Sequence, residues 1–519
     1  MLKSASVFAV CAILVAAPAA ATPSQTVAAS ATIHADRPGA EIKPEIFGQF
    51  AEHLGSGIYG GIWVGKESSI PNTDGYRNDV LAALKELHVP VVRWPGGCFG
   101  DEYHWRNGIG TDRAVTVNTN WGGVPEPNTF GTHEFMGLVE AIGAKAYISG
   151  NAGTGTPREM AEWLEYMTTD QDTTLGRLRR ANGREKPWKI DYWAIGNETW
   201  GCGGNMRPEY YADQFKQFAT FLKAPPGARP QIIASGGWDG HLEWTQTLLS
   251  TIHRGMDAID FHFYTLPSAT HDWQHKGSAV GFPESEWIST LANALKLDTY
   301  LKANIAIMNK LDPKKMVGLF VDEWGTWYDP APGSNPGFLV QQNTVRDAVV
   351  AATELNILQS HADRVRMANI AQMINVLQAM ILTDGPRMLK TPTYHVFHMY
   401  RPFQGATFLP VDLKTPKYKL GKSAVPAVTV SAARSKDGAL VYALANLDPK
   451  RAAKVSTVIA GSRATGVDGS ILTGDAMDSH NTFDSPDVVK PAPFSGANLT
   501  GNRLSVALPP RSVVVLTVR

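Results

Sequence analysis

Eight short apolar runs recur between Ile46 and Met373, each ending in or near a Gly, Asn, Asp, Glu or His, with amphipathic stretches between them. They read IFGQFAEH, VVRWPGG, AYISGN, YWAIGNE, QIIASGG, AIDFHFY, GLFVDEW and VRMANIAQM. Helical periodicity falls between them, as at Asp79–Leu87, Arg158–Thr168, Pro208–Leu222, Glu286–Met308 and Gln341–His361. Parallel strands need a crossover connection, and a helix supplies one, so strand and helix alternating eight times predict a parallel (β/α)8 TIM barrel. The spacing exceeds the minimum for such units, so several loops must be long. RNGIGTDRAVTVNTNWGGVPEPNTFG and TLPSATHDWQHKGSAVGFPE are the clearest.

After about Pro392 the texture changes to short alternating runs, AVTVSAA, ALVYALANL, AAKVSTVIAG, NRLSVALP and SVVVLTV, separated by Gly, Asp, Asn and Pro. This is antiparallel β signal and predicts a C-terminal antiparallel β-sandwich. A chain of 519 residues exceeds what one hydrophobic core sustains, which fits two units. The expected division is a barrel over residues 46–391 and a sandwich over 392–519, with the alternating segment 22–45 donating a strand to the sandwich.

The first residues carry Lys3, an apolar run from Val7 to Ala17 and small residues Ala19–Ala21. They read as a signal peptide over residues 1–21, cleaved near Ala21, and predict a secreted or periplasmic protein. No later segment offers about 18 consecutive apolar residues, so no membrane partner is expected. With 48 basic and 48 acidic residues there is no charge excess to recruit nucleic acid. Beyond the signal only Cys98 and Cys202 remain, each in a Gly-rich stretch. An oxidising compartment would let them pair if their Cα atoms came within about 7 Å.

Side chains at the C-terminal ends of barrel strands face the active site, whereas those within the strands fill the interior. Asn197 and Glu198 end the fourth run and Glu323 ends the seventh. Two carboxylic acids facing one another across a barrel mouth are what glycoside hydrolysis requires. One protonates the leaving oxygen, and the other attacks an oxocarbenium-like centre or activates water. A separation of about 5 to 5.5 Å gives retention and about 6.5 to 9.5 Å gives inversion. The chain's 14 Trp residues, many beside polar groups, suit the apolar faces of sugars.

These motifs resemble glycoside hydrolase family 51 α-L-arabinofuranosidases. The resemblance runs from GQFAEHLGSGIYGGIW through VVRWPGGCFGDEYHWRNGIG, YWAIGNETWGCGG, FHFYT and FVDEWGTWY to HADRVRMANIAQMINV, nearly the whole of the chain beyond the signal. It implies a retaining, exo-acting enzyme that needs no cofactor or metal and releases terminal α-L-arabinofuranosyl residues from arabinan, arabinoxylan or arabino-oligosaccharides. By motif, Glu198 is the acid/base and Glu323 the nucleophile, and Asn197 hydrogen-bonds the sugar's 2-hydroxyl. Glu52 and Gln372 anchor sugar hydroxyls, and Tyr264, with His262 two residues before it, orients Glu323. Trp327 and Trp121 are apolar walls. Many relatives carry Asn where this chain has Cys98, so Cys98 is expected either to touch the sugar weakly or to meet Cys202. The family often assembles into hexamers or other homo-oligomers.

Three other readings compete. A metal-dependent hydrolase could draw on His262, His271 and His275, but no clustered Asp or Cys completes a ligand set and HExxH is absent. A noncatalytic carbohydrate-binding protein would not need two opposed glutamates. Some family members cut β-1,4-glucan or xylan chains internally, which loop lengths alone do not decide.

Overall fold

A computed structural model describes residues 26–519. The signal-peptide reading of residues 1–21 lies outside them. Eight parallel strands close into a barrel: β1 (Gly48–Phe50), β2 (Val91–Trp94), β3 (Lys145–Gly150), β4 (Tyr192–Ile195), β5 (Gln231–Ala234), β6 (Ala258–Thr265), β7 (Gly318–Thr326) and β8 (Val365–Ile370). Each coincides with one of the eight apolar runs, β3, β6 and β7 reaching one or two residues beyond theirs.

The crossover helices follow the amphipathic pattern, with one break. The stretch expected as one helix over Glu286–Met308 is two, Glu284–Ala294 and Lys296–Leu311, meeting at Leu295. Four helices escaped the periodicity: Thr132–Ile142, Thr174–Ala181, Leu242–Thr251 and Pro392–Tyr400. The last is almost wholly buried, so it shows no polar face to read.

Beyond the barrel lie two sheets. A five-stranded sheet runs Val411–Lys414, Val27–His34, Ala453–Ala460, Arg503–Leu508, Ala497–Thr500. A six-stranded sheet runs Thr407–Leu409, Val428–Arg434, Leu440–Asn446, Ser512–Val518, Val467–Leu472, Ala492–Pro493. Val27–His34 alternates buried and more exposed residues and pairs parallel to Ala453–Ala460, the one departure from antiparallel order in these sheets among the described residues. The helix Val345–Ser360, buried almost all round, packs between β7, β8 and the six-stranded sheet. Ser431 donates to Gln359 at 2.6 Å, and the Trp287 indole donates to the Leu447 carbonyl at 2.9 Å. The barrel is thereby joined to the sheets through a shared core. Among the described residues no helix is long and apolar enough to cross a membrane.

Candidate active site

At the end of β4 the chain turns sharply. Gly196 has φ of +82°, and Glu198 itself sits in the left-handed region at φ +40°, uncommon for a residue with a Cβ. The loop then folds back on itself, Gly201 N and Gly203 N donating to the Glu198 carbonyl at 2.7 and 3.2 Å. A Cβ on Gly203 would lie 1.9 Å from the Asn197 carbonyl oxygen, so this return requires glycine. The glycine run thus brings a tight loop around Glu198 and leaves its carboxyl at the barrel mouth.

On β7 two consecutive acids, Asp322 and Glu323, both reach the buried charge network inside the barrel. A regular strand sends neighbours to opposite faces, but the register with β6 and β8 shifts across this stretch, and such a bulge re-aims side chains. On β6, Asp260, His262 and Tyr264 alternate at i, i+2 and i+4 and share the inner face. One carboxylate oxygen of Glu198, one of Glu323 and a ring nitrogen of His262 all lie within 4.8 Å of one another.

The two glutamates are held differently. Glu323 Oε1 accepts from Arg93 Nη1 at 2.8 Å, and its Oε2 accepts from the Tyr264 hydroxyl at 2.7 Å. Two strong donors, one charged, suit a group that reacts as an anion. Glu198 Oε1 meets His262 Nδ1 at 2.9 Å. Burial, together with the charge of Glu323 and against the hydrogen bond from His262, raises the Glu198 carboxyl above the usual glutamate range, which suits an acid that must keep its proton.

Beneath them runs a buried chain of charge. Although burial opposes it, Glu323, Asp322 and Glu198 hold His262 protonated well above the ordinary imidazole range. Its Nε2 lies 3.1 Å from Asp322 Oδ1. Burial would raise Asp322, yet Arg93 and His262 keep it below the usual aspartate value. Asp260, deeper still, is pushed well up by burial and by the neighbouring Asp322.

The remaining expected residues fall into place around this pair. Arg93 Nη2 donates to Asn197 Oδ1 at 2.5 Å, and Asp101 accepts from the Asn197 backbone N–H at 2.8 Å, so both ends of Asn197 are fixed. Glu52 is buried and accepts from Gly97 N, Phe99 N and the Trp121 indole at 2.9, 3.1 and 2.9 Å, and from the Gln372 amide at 2.8 Å. Burial, then the charge of Glu323, nevertheless pushes Glu52 up to about 7. Trp327 packs edge-to-face on Tyr264 at 4.9 Å. Trp200, two residues beyond Glu198, stacks on Trp238 at 3.8 Å, which in turn stacks on His241.

Two expectations are refined. Cys98 is bonded to Cys202, with Cα atoms 5.5 Å apart, so it carries no thiol to offer a sugar. His262, expected beside Tyr264 at the nucleophile, has Nδ1 on Glu198 Oε1 and turns Nε2 toward Asp322. Of the other histidines weighed as metal ligands, His271 faces Asp239 at 3.3 Å and His275 faces Asp272 at 3.2 Å. Sequence reasoning missed Arg93, Asp101, Asp260 and Asp322. A lone Arg within the apolar strand VVRW was the available signal, since a charge there must find buried partners.

Comparison with known proteins agrees with this geometry. Residues 83–279 match the family profile described as alpha-L-arabinofuranosidase 1 domain, and residues 322–512 match the alpha-L-arabinofuranosidase C-terminal domain. The chain is 47% identical over 496 residues to an intracellular exo-alpha-L-arabinofuranosidase of Bacteroides ovatus, covering 95% of this chain and 96% of that protein. It is similar to the crystal structure of the GH51 arabinofuranosidase from Xanthomonas axonopodis pv. citri, at a TM-score of 0.94 and 52% identity over 95% of this chain and all of that one. It also resembles the thermostable GH51 alpha-L-arabinofuranosidase of Thermotoga petrophila RKU-1, at a TM-score of 0.83 and 29% identity, covering 95% of this chain and 100% of that one. The Bacteroides relative overturns the expectation of a secreted or periplasmic protein. An apolar run with small residues reports hydrophobicity alone, and a relative matched almost end to end is named as intracellular.

Proposed function

The chain belongs to the glycoside hydrolase family 51 α-L-arabinofuranosidases, and we propose that it works by double displacement, with Glu323 as nucleophile and Glu198 as acid/base. The carrying observation is that the two carboxyls face one another closely, an oxygen of each within 4.8 Å of the other and both flanking His262 Nδ1, which leaves little room for the intervening water that inversion needs. Glu323 attacks the anomeric carbon while Glu198 gives its proton to the departing glycosidic oxygen. Glu198, now a carboxylate, then takes a proton from water, which attacks the same carbon and releases Glu323.

Asn197, held at Oδ1 by Arg93 and at its backbone N–H by Asp101, keeps its amide nitrogen, 3.8 Å from Cys202 Sγ, to meet the 2-hydroxyl. That contact tightens as charge develops at the neighbouring carbon. Glu52 and Gln372 form one hydrogen-bonded unit for the remaining hydroxyls, and Trp121 and Trp327 wall the ring. Trp200, backed by Trp238, offers an apolar face beside Glu198 for the sugar that leaves.

The substrates that fit this reading are terminal α-L-arabinofuranosyl residues of arabinan, arabinoxylan or arabino-oligosaccharides, met inside the cell as for the Bacteroides ovatus enzyme. The test is a substrate panel: free arabinose should appear from branched arabinan and arabinoxylan with the anomeric configuration retained by NMR. Shortening of unsubstituted xylan chains without arabinose release would overturn the exo reading.

A further inference from the structure

Two sulfur atoms stand against the acid/base carboxyl. Cys98 Sγ lies 4.0 Å and Cys202 Sγ 3.6 Å from Glu198 Oε2, on the carboxyl oxygen that His262 does not engage. They are bonded to one another across 104 residues, joining the short turn Cys98–Asp101 after β2 to the loop after β4. Both segments already grip the same dipeptide. Asp101, at the end of the first, holds Asn197 N, and Gly201 and Gly203, in the second, hold the Glu198 carbonyl.

We propose that the Cys98–Cys202 pair is a positioning element for the acid/base, so that protonation of the leaving group depends on whether the pair is oxidised. The inference rests on the reading of Glu198 given above. As a disulfide the sulfurs carry no hydrogen and cannot donate, so they present Oε2 with an apolar wall that favours the neutral acid. Cys202 is exposed, so a small thiol reductant can reach it. A dithiol gives up two electrons and two protons and closes into its own disulfide, leaving Cys98 and Cys202 as free thiols.

The consequences are two. Each new S–H is a weak donor beside Oε2 and favours the carboxylate over the acid. The Glu198 loop also loses its covalent tie to the turn that anchors Asn197. The other charged groups facing Glu198, which are His262, Glu323 and Arg93, stay as they are. Thiol reductants are plentiful inside cells, so the pair would be exposed to this exchange where the enzyme acts.

The test uses the full chain, oxidised and then reduced under native conditions, with thiol titration before and after. Two arabinofuranosides are compared, a nitrophenyl glycoside whose leaving group needs little acid help and a methyl glycoside that needs much. Reduction should expose two more thiols and lower kcat/KM on the methyl glycoside by about tenfold, part of the 10²–10⁴-fold range of general acid catalysis. The nitrophenyl rate should change by less than about twofold, the alkaline limb of the pH profile should move down, and reoxidation should restore both. The Cys98→Ser/Cys202→Ser double variant should behave as the reduced enzyme and ignore reductant. An unchanged ratio of the two rates after two thiols appear would overturn the proposal. So would the absence of new thiols, or a reductant response in the double variant. If that variant does not fold, the wild-type ratio decides alone. Inactivity on both glycosides in the oxidised state would instead refute the role given to Glu198.

Discussion

His262 Nδ1 stands 2.9 Å from Glu198 Oε1 and 3.6 Å from Glu323 Oε2, so one cationic ring faces both carboxyls of the proposed catalytic pair. Its other nitrogen faces Asp322 at 3.1 Å, which keeps the charge in place. A cation beside Glu198 lowers that acid's affinity for its proton. His262→Asn should therefore move the alkaline limb of the pH profile upward while lowering kcat, because the neutral amide no longer opposes protonation. An alkaline limb displaced downward would contradict this account of the ring.

Removal of the proposed acid should depend on the substrate. Glu198→Ala is expected to lower kcat/KM on alkyl and oligosaccharide substrates by about 10²–10⁴-fold, with a much smaller fall on activated aryl glycosides. Azide should restore turnover on the aryl substrates by attacking the trapped glycosyl intermediate. Glu323→Ala should lose activity on both classes. Steady-state rates on a graded series of leaving groups check this.

Space at the site is tightly allotted. A Cβ on Gly97 would lie 2.7 Å from Glu323 Oε1 and 3.3 Å from Asn197 Nδ2. Gly97→Ala should therefore displace the Glu323 carboxylate and reduce kcat by about 10²-fold, the effect expected of a misplacement near 1 Å. Gly466→Ala, whose Cβ meets nothing within 4 Å, is the silent control. Equal kinetics for the two variants would show that the close approach does not matter.

Buried carboxyls also shape stability. Burial pushes Glu354 up to about 8, against a single hydrogen bond from Thr265. In the unfolded chain it ionises near 4.5. Between those values the native state binds the extra proton, so this group's contribution falls as pH rises through the window, and is fully present below it. Glu52 and Asp101, each raised to about 7 chiefly by burial, act in the same sense. Glu354→Gln should flatten the decline in Tm between about pH 5 and pH 8, with a gain of a few kcal/mol at the upper end. A Tm that rises equally for variant and wild type across this window would refute the assignment.

The barrel was legible because each apolar run ends in or near a glycine or polar residue and most of the crossovers carry an apolar stripe, both local properties of the chain. The site was legible in outline for the same reason, since Asn197 and Glu198 follow directly on β4 and Glu323 lies near the C-terminal end of β7. What the chain did not show is how the parts meet. Arg93 reads as one charge in an apolar strand, and only the closed barrel brings it to Glu323 and Asn197 together. Asp322 and Glu323 read as opposite faces of a strand until the register shift turns both inward. The break at Leu295 lies within continuous helical periodicity, and neither neighbouring residue is a strong breaker.

Val27–His34 lies between Val411–Lys414 and Ala453–Ala460 in its sheet, and both neighbours are made long after it. During synthesis this segment, with Val27, Ala29, Ala31 and Ile33 destined for the interior, must wait while the entire barrel emerges. Joining ends so remote in order is slow, and until it happens the waiting edge invites pairing with another nascent chain. The enzyme's yield in a cell is therefore tied to its last hundred residues, however completely its catalytic half has already folded.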